Sequence, residues 1–146
     1  MESEIQHRPG RYLAIQIARK YYAVPNEEVR EMMAAQDLAS LSMPEDASEA
    51  VGLKGILYAH SVRIPVFDLP VRLGGGPRAL RVTTQTRIVT VDVYGLRIGF
   101  YADRLTDMIQ ARAHEFRKDT IVGHGRPKTI LIPSKLWTAE ELTALT

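Results

Sequence analysis

Cysteine is absent from the sequence. This absence excludes disulfide bonds, thiolate zinc sites, cysteine-ligated iron–sulfur clusters and a cysteine nucleophile. Long hydrophobic runs are also absent, because charged residues interrupt every apolar stretch well before the roughly 18 residues that a membrane-spanning helix needs. The first residues, MESEIQHRPG, lack the apolar segment of a signal peptide. We therefore expect a cytoplasmic protein without direct membrane insertion.

A strong charge of one sign is lacking overall, but the charge is unevenly distributed. The chain of 146 residues has a formal net charge of +2. Residues 1–53 contain 5 Lys/Arg and 9 Asp/Glu, residues 54–97 contain 7 and 2, and residues 98–146 contain 7 and 6. The basic middle segment is compatible with nucleic acid, an anionic partner or only water, so charge alone does not decide the function.

The length and the hydrophobic content of 45% suit one domain with a packed core. We expect residues 1–9 to be a flexible tail and residues 10–146 to form a single domain. Alternating apolar residues predict several strands, joined by turns at Ala18-Arg19-Lys20, near His60-Ser61 and at Tyr94-Gly95. The predicted strands lie at 12–17, 21–24, 56–69 (with its break at the turn), 83–93, 96–101 and 129–132. Many short strands separated by Gly and Pro favour barrels or a sandwich.

Helical signals are fewer. Asn26 suits an N-cap, and Val29, Met32 and Met33 share one helical face, which predicts a short helix after the first hairpin. Near the C-terminus, Thr138-x-x-Glu141 is a capping box that predicts a closing helix carrying Leu142 and Leu145.

Two further segments are less decisive. Leu105, Met108 and Ile109 fit helical spacing, but the segment is short and stays ambiguous. The pattern Asp46-x-x-Glu49 resembles a cap in a loosely patterned region.

The motifs that suggest catalysis or cofactor binding are incomplete. RLGGGPRAL lacks the Gly-Lys-Ser/Thr ending of a phosphate loop, and Pro77 removes one amide, so we expect a mobile connection. The histidines do not have the spacing of metal ligands. They are His7, His60, His114 and His124. We therefore expect neither a cofactor nor a metal.

Two constellations of residues resemble active sites. His60, Ser61 and Asp68 supply the residue types of a catalytic triad. Adjacent residues on a strand point to opposite faces, so His60 and Ser61 would not meet there, and we interpret them as a turn between strands. A carboxylate site is the other possibility, formed by Asp92, Asp103 and Asp107. Asp103 follows a predicted strand and is better interpreted as the cap of a turn. The chain therefore has the profile of a binding module and not of an enzyme.

A small β-barrel that binds nucleic acid is an alternative. Such a site needs exposed aromatic residues interleaved with basic ones. The chain has only 1 Trp, 6 Tyr and 3 Phe, most of them inside predicted strands. No signature of a common RNA-binding module is present, so we do not expect nucleic acid as the partner.

Residues 55–69, GILYAHSVRIPVFDL, resemble the central motif of the CheW family of chemotaxis coupling proteins, G-V-x-N-L-R-G-x-V-I-P-V-x-D-L. The matching positions are Gly55, Ile56, Ile64, Pro65, Val66, Asp68 and Leu69. Val29-Arg30-Glu31-Met32 is similar to the family's Val-x-Glu-Ile element, and Gly99 and Asp103 match a later segment. KLWTAEELTAL is similar to the closing helix. The order and spacing of these pieces extend the resemblance from Tyr12 to Leu145.

The resemblance implies two small SH3-like β-barrel lobes around a shared core, with short helices and a C-terminal helix. It also implies a non-catalytic adaptor that joins the cytoplasmic tip of chemoreceptors to a CheA-type histidine kinase. The positions that correspond to the family's kinase contacts are Val29, Glu31, Gly55, His60 and Ser61. The positions on the strands nearest the receptor groove are Val89, Val91, Ile98 and Phe100.

The chain departs from the family pattern at the central turn. The family's Asn-Leu-Arg-Gly is Tyr58-Ala59-His60-Ser61 here, and the following Val is Arg63. Histidine offers one donor where arginine offers a bidentate one, and serine in place of glycine is expected to forbid a positive φ. The segment 112–132 is about one strand shorter than usual, which predicts a shortened second lobe. We expect receptor binding to be retained and kinase binding to be weakened, as in divergent members of gliding or twitching systems.

Overall fold

The computed structural model describes residues 7–35, 41 and 51–145. These residues form eleven strands, three short 3-10 turns and one α-helix. The strands are β1 Gly10–Ile17, β2 Lys20–Pro25, β3 Val29–Ala34, β4 Leu53–Ala59, β5 Val62–Phe67, β6 Arg87–Val93, β7 Leu96–Ala102, β8 Arg104–Ala111, β9 Phe116–Arg117, β10 Thr120–Ile121 and β11 Lys128–Ile130. The 3-10 turns are Asn26–Glu28, Ala113–Glu115 and Pro133–Lys135, and the helix is α1, Ala139–Thr143. The prediction of a mostly β fold is confirmed.

The strands form two sheets. The first has six strands in the order β8-β1-β2-β11-β10-β9, and the second has five in the order β3-β6-β7-β5-β4. In the second sheet, His60 Nε2 lies 3.2 Å from Glu31 Oε2. Glu31 is on β3 and His60 follows β4, at opposite ends of the strand order, so this sheet curls toward a barrel. The segment 112–132 supplies the last three strands of the first sheet.

The predicted hairpins are confirmed, and their turns share one conformation. Both central residues have positive φ, as the twist of a two-residue hairpin requires. The turn residues are Ala18 and Arg19 (φ 50° and 69°), His60 and Ser61 (φ 53° and 62°), and Tyr94 and Gly95 (φ 51° and 76°). The expectation that Ser61 forbids a positive φ is therefore wrong, because the β4–β5 ladder imposes this turn on the residues present.

The helix predicted after the first hairpin is wrong. Asn26–Glu28 makes a single 3-10 turn, and Val29–Ala34 continues as strand β3. This strand pairs antiparallel with β6, with a register shift between Val29 and Glu31. The hydrogen bonds to β6 satisfy backbone groups that a short isolated helix would leave to water. The register shift gives the apolar residues of β3 a spacing that resembles that of a helix.

The ambiguous segment near Leu105 is also a strand. β8 pairs with β1 along its length, but Ala14 faces Asp107 while Ile15 faces Leu105, so Thr106 is an extra, bulged residue. Residues 46–49, with their possible cap, lie outside the described residues.

The C-terminal helix is confirmed. The Thr138 hydroxyl accepts a hydrogen bond from the Glu141 amide at 3.1 Å, and the Thr138 amide donates to Glu141 Oε1 at 3.2 Å. Leu142 and Leu145 are buried. No helix in the described ranges is long and apolar enough to span a membrane.

The main hydrophobic cluster lies between the two sheets and is called the shared core here. It contains side chains from both sheets and from the C-terminal segment. Its buried members are Leu13, Ile15, Ile17, Tyr22, Val24, Leu53, Phe67, Leu69, Val89, Val91, Val93, Ile98, Phe100, Ala102, Leu131, Trp137, Leu142 and Leu145. Two smaller clusters, one around Ile109 and one around Ile64, fill the remaining faces of the first and second sheets.

Candidate functional site

The first candidate surface surrounds the β4–β5 turn and is called the hairpin surface here. Its members are Glu31, Tyr58, His60, Ser61 and Arg63. Glu31 and His60 were predicted from sequence to lie at one interface, and the structure brings their side chains into contact although 29 positions separate them. Tyr58 is directly opposite Arg63 in the ladder, and its side chain is 66% exposed. The sequence analysis identified these last two residues only as departures from the family pattern, because their exposure depends on which face of the hairpin is presented to solvent.

The other two candidates for the kinase contact lie in different surroundings. Val29 is half-buried and packs against the shared core. Gly55 is buried where the β4–β5 register shifts between Leu53 and Gly55, and its φ of 152° is a conformation that favours glycine. Both residues shape strands near the hairpin surface and offer little side-chain area to a partner.

The four candidates for the receptor groove are inside the shared core. Val89, Val91, Ile98 and Phe100 each have 0% of their surface exposed. Their side chains hold the two sheets together and are not available for direct contact with a receptor.

An exposed apolar pair lies at the rim of the same core. Leu105 is opposite Ile15 and Met108 is opposite Leu13, and opposite residues share a face of the sheet. Leu105 and Met108 therefore project to the side of the shared core, but β8 is an edge strand and they stay 41% and 45% exposed. We call this pair the rim strip. Only the bulge at Thr106 puts both residues on one face, and that bulge has no sequence signal.

The residues of the possible triad do not assemble. Asp68 is buried and accepts two hydrogen bonds from Arg78, at 2.9 Å from Nε and 2.8 Å from Nη2. His60 is engaged with Glu31 on the surface. The arrangement therefore lacks the carboxylate–histidine–serine relay of a hydrolase.

The three carboxylates of the other constellation have separate partners. Asp103 Oδ2 accepts a hydrogen bond from the Ala18 amide at 2.9 Å, so it caps the β1–β2 turn and not the turn at the end of its own strand. Asp92 pairs with Arg97 and Arg30, and Asp107 accepts from the next amide along the chain.

Arg78 joins Asp68 to Asp103. Its Nη1 and Nη2 donate to the two oxygens of Asp103 at 2.8 Å each. Hydrogen bonds to Asp68 and then to Asp103 raise the pKa of Arg78 above its already high ordinary value, so the cation is permanent. Both carboxylates are engaged by this one guanidinium and are not free to bind a ligand.

The glycine-rich loop, His7 and His124 also have partners within the protein. The amides of Leu73 and Gly75 donate to carbonyls of the same loop, at Leu69 and Pro70. His7 contacts Asp119 at 2.7 Å and His124 contacts Glu115 at 2.9 Å. No group of three or more His, Asp or Glu that could hold a metal occurs within the part of the chain that the structure describes.

The aromatic residues do not form a platform for nucleic acid bases. Most are buried, and among the described residues the largely exposed ones are Tyr58 and Tyr94, in different hairpins. Stacking of successive bases needs several exposed rings along one groove.

The fold and these surfaces define a small, two-lobed β protein that offers strand edges and a hairpin tip to partners. A family model described as the CheW-like domain matches residues 11–132. The chain belongs to this family of non-catalytic scaffolds of chemotaxis signalling.

Among solved structures, the scaffolding protein TtCheW from Thermoanaerobacter tengcongensis is similar. Its TM-score is 0.74 at 20% sequence identity, over 92% of this chain and 96% of that chain. The likeness confirms the predicted fold of two SH3-like lobes. No curated protein matches the chain.

Proposed function

We propose that this protein is an adaptor that binds the cytoplasmic tip of chemoreceptors and connects them to a CheA-type histidine kinase in the cytoplasm. Membership of the CheW-like family supports the adaptor role. The observation that carries the proposal is the exposed contact between Glu31 and His60, at the positions of the family's two kinase-contact motifs.

The kinase contact is weakened in this chain because of the chemistry of His60. A neutral imidazole donates one hydrogen bond, whereas a guanidinium donates several in a fixed fork. Ser61 adopts the positive φ that a glycine would adopt, so the backbone of the turn is preserved. The difference from the family pattern therefore lies in the side chain at position 60.

Calorimetric titration against the regulatory domain of the cognate kinase tests this. We expect weak binding by the native chain and about tenfold tighter binding by His60→Arg, which is the order expected for a charge-assisted hydrogen bond. Ser61→Gly is the matched control and leaves the affinity unchanged. If His60→Arg gives no gain, the local explanation is wrong.

The receptor contact is at the rim strip. A helical hairpin with an apolar face can lie in an apolar groove, and Leu105 and Met108 extend the shared core to the surface between the lobes. The buried receptor-groove candidates lie in the same shared core as Leu13 and Ile15, which are the β1 partners of the rim strip.

Titration with the cognate receptor's cytoplasmic tip tests the second contact. Leu105→Asp together with Met108→Asp weakens receptor binding by about tenfold or more, because charges replace apolar contact area. Val82→Asp, at a residue 39% exposed in a loop outside the strip, is the control and has no effect. Equal loss in both variants, or no loss in the first, contradicts this assignment.

A further inference from the structure

A groove with a volume of about 340 Å³ lies between β5 and β7 in the second sheet. These strands are parallel and pair only at Val66 with Gly99 and at Phe67 with Phe100. Toward their N-terminal ends they have no pairing with each other, and the groove occupies the space between Val62–Pro65 and Leu96–Ile98. Its volume is at the lower end of the range of ligand pockets, which suits one or two side chains of a partner.

The groove has an apolar floor. Pro65, Ile98 and Leu142 are buried there, and Leu96 is half-buried. Leu142 comes from α1, so the C-terminal helix closes the space that the separating strands leave. An apolar side chain placed against the half-buried Val62 and Leu96 would lose contact with water, which is the main source of affinity in small recognition sites.

The rim of the groove is cationic. Arg63 is exposed and has no ion-pair partner in the described ranges, and Arg97 lines the opposite side. Asp92 is also at the rim and pairs with Arg97 at 3.3 Å and with Arg30 at 3.2 Å. Among the lining residues, the two guanidinium groups of Arg63 and Arg97 against the one carboxylate of Asp92 leave an excess of one positive charge. Such a rim favours a partner with carboxylates.

Tyr58 extends this surface beyond the groove. It is opposite Arg63 in the β4–β5 ladder, and its ring is 66% exposed. Tyrosine and arginine are the residue types that most often dominate the energetics of protein interfaces. The cationic rim and the exposed ring are therefore continuous through Arg63.

We propose that this groove binds a segment of a partner protein in which an apolar side chain is flanked by carboxylates. The apolar side chain lies against the half-buried Val62 and Leu96, and the carboxylates pair with Arg63 and Arg97. This inference goes beyond the receptor and kinase contacts. The groove is separate from the rim strip, and it shares Arg63 with the hairpin surface but does not require the Glu31–His60 contact.

Methyl NMR of the full chain tests the proposal with three short peptides. The first has a leucine between Asp-Glu pairs, the second has serine in place of the leucine, and the third has Lys-Arg pairs in place of Asp-Glu. We expect the first peptide to shift the methyl signals of Leu96, Ile98 and Leu142, and the other two to leave them unchanged.

Charge-reversal variants locate the binding. Arg63→Glu and Arg97→Glu weaken binding of the first peptide by about tenfold. Arg81→Glu, at an exposed arginine outside the groove, leaves it unchanged. Backbone amide spectra establish that each variant remains folded.

Four results would overturn the proposal. They are the absence of groove shifts with the first peptide, equal shifts with the serine peptide, equal shifts with the basic peptide, and equal shifts with a single-stranded oligothymidine. The last result would indicate a nucleic acid site instead.

Discussion

At the scale of single residues, Arg78 connects the two halves of the molecule. Asp68 follows β5 of the second sheet, whereas Asp103 precedes β8 of the first and also holds the Ala18 amide in the β1–β2 turn. A single guanidinium therefore ties the end of one sheet to the turn of the other. Asp68 is only 5% exposed, so its charge depends on this partner.

Replacement of Arg78 tests how much this connection contributes. Arg78→Met leaves Asp68 buried without a counter-charge, and we expect a loss of about 3 kcal/mol in the free energy of unfolding. Urea denaturation measures it. The double variant Arg78→Met with Asp68→Asn removes the buried charge and recovers part of the loss. If the double variant is as unstable as the sum of the single ones, the two residues are not coupled.

The residues at the hairpin turns allow a second test. Ser61 has a φ of 62°, a conformation that costs a residue with a Cβ about 1 kcal/mol and glycine much less. Ser61→Gly is therefore expected to raise the free energy of unfolding by about 1 kcal/mol. Gly95→Ala is the opposite change at φ 76°, where a Cβ would meet no atom within 4 Å, and it lowers stability by a similar amount. Denaturation of both variants measures whether the free energy of unfolding rises or falls.

These turns also show which features of the fold could be predicted from the sequence. The position of the β4–β5 turn follows from the apolar alternation around His60-Ser61, but the sign of φ does not follow from the residues. It is set by the twist of the paired strands, which imposes a positive φ even on serine and histidine. The pairing of Glu31 with His60 was within reach only through the family resemblance, because the curl of the second sheet brings them together.

At the scale of elements, pairing with a distant strand also explains the wrong assignment of β3. Val29, Met32 and Met33 fit a helical face and also fit a strand with a register shift. The partner strand that decides between them, β6, begins more than fifty positions later in the chain. The bulge at Thr106, which creates the rim strip, likewise arises from pairing with β1 and not from local sequence. Strong local signals, such as the cap at Thr138, were sufficient for α1.

The attachment of α1 depends on Arg72. Its guanidinium donates to both carboxylate oxygens of Glu141, at 3.1 and 2.6 Å, and to the Leu136 carbonyl at 2.8 Å. It also lies over the rings of Phe67 and Trp137, 5.0 and 5.3 Å from their centroids. The planar group is held by hydrogen bonds at its edge and by aromatic faces, a combination that lysine cannot reproduce.

Arg72→Lys is therefore expected to loosen the C-terminal segment and to lower the free energy of unfolding by about 2 kcal/mol. Trp137, the single tryptophan and 3% exposed, reports the change through a shift of its fluorescence toward longer wavelengths. Arg87→Lys, which alters an arginine bonded only to nearby carbonyls, is the control. An unchanged emission spectrum in Arg72→Lys would show that α1 is held by its leucines alone.

At the scale of the whole molecule, several ionisable groups set the pH range of stability. The side-chain hydrogen bond from Arg72 lowers the pKa of Glu141, and the one from His7 lowers the pKa of Asp119. The Arg112 amide, and then His124, lower the pKa of Glu115. A carboxyl whose pKa is lower in the folded chain than in the unfolded chain stabilises the fold at pH values above its pKa in the unfolded chain. It loses that contribution as pH falls through its pKa in the folded chain. Burial raises the pKa of Glu28, so this residue has a weak effect on stability of the opposite sign.

Stability is therefore expected to fall as pH drops below 4.5, the ordinary value for glutamate. At the other end, burial raises the pKa of Tyr12, Tyr22 and Tyr101, so stability is lost only as pH rises beyond their ordinary value of 10.0. Thermal unfolding across this range measures both limits. We expect the stability of Glu141→Gln to fall less steeply with decreasing pH than that of the native chain, and the stability of Glu140→Gln to fall as steeply as that of the native chain. The reverse order would contradict this assignment.

The shared core has a geometric consequence for a protein that connects others. Side chains from both sheets and from the C-terminal segment interlock in a single cluster, which packs the two lobes against each other within the described residues. The hairpin surface on one lobe and the rim strip on the other are therefore held at a constant distance and angle. In an adaptor of the proposed kind, this geometry sets the spacing of the proteins that it joins.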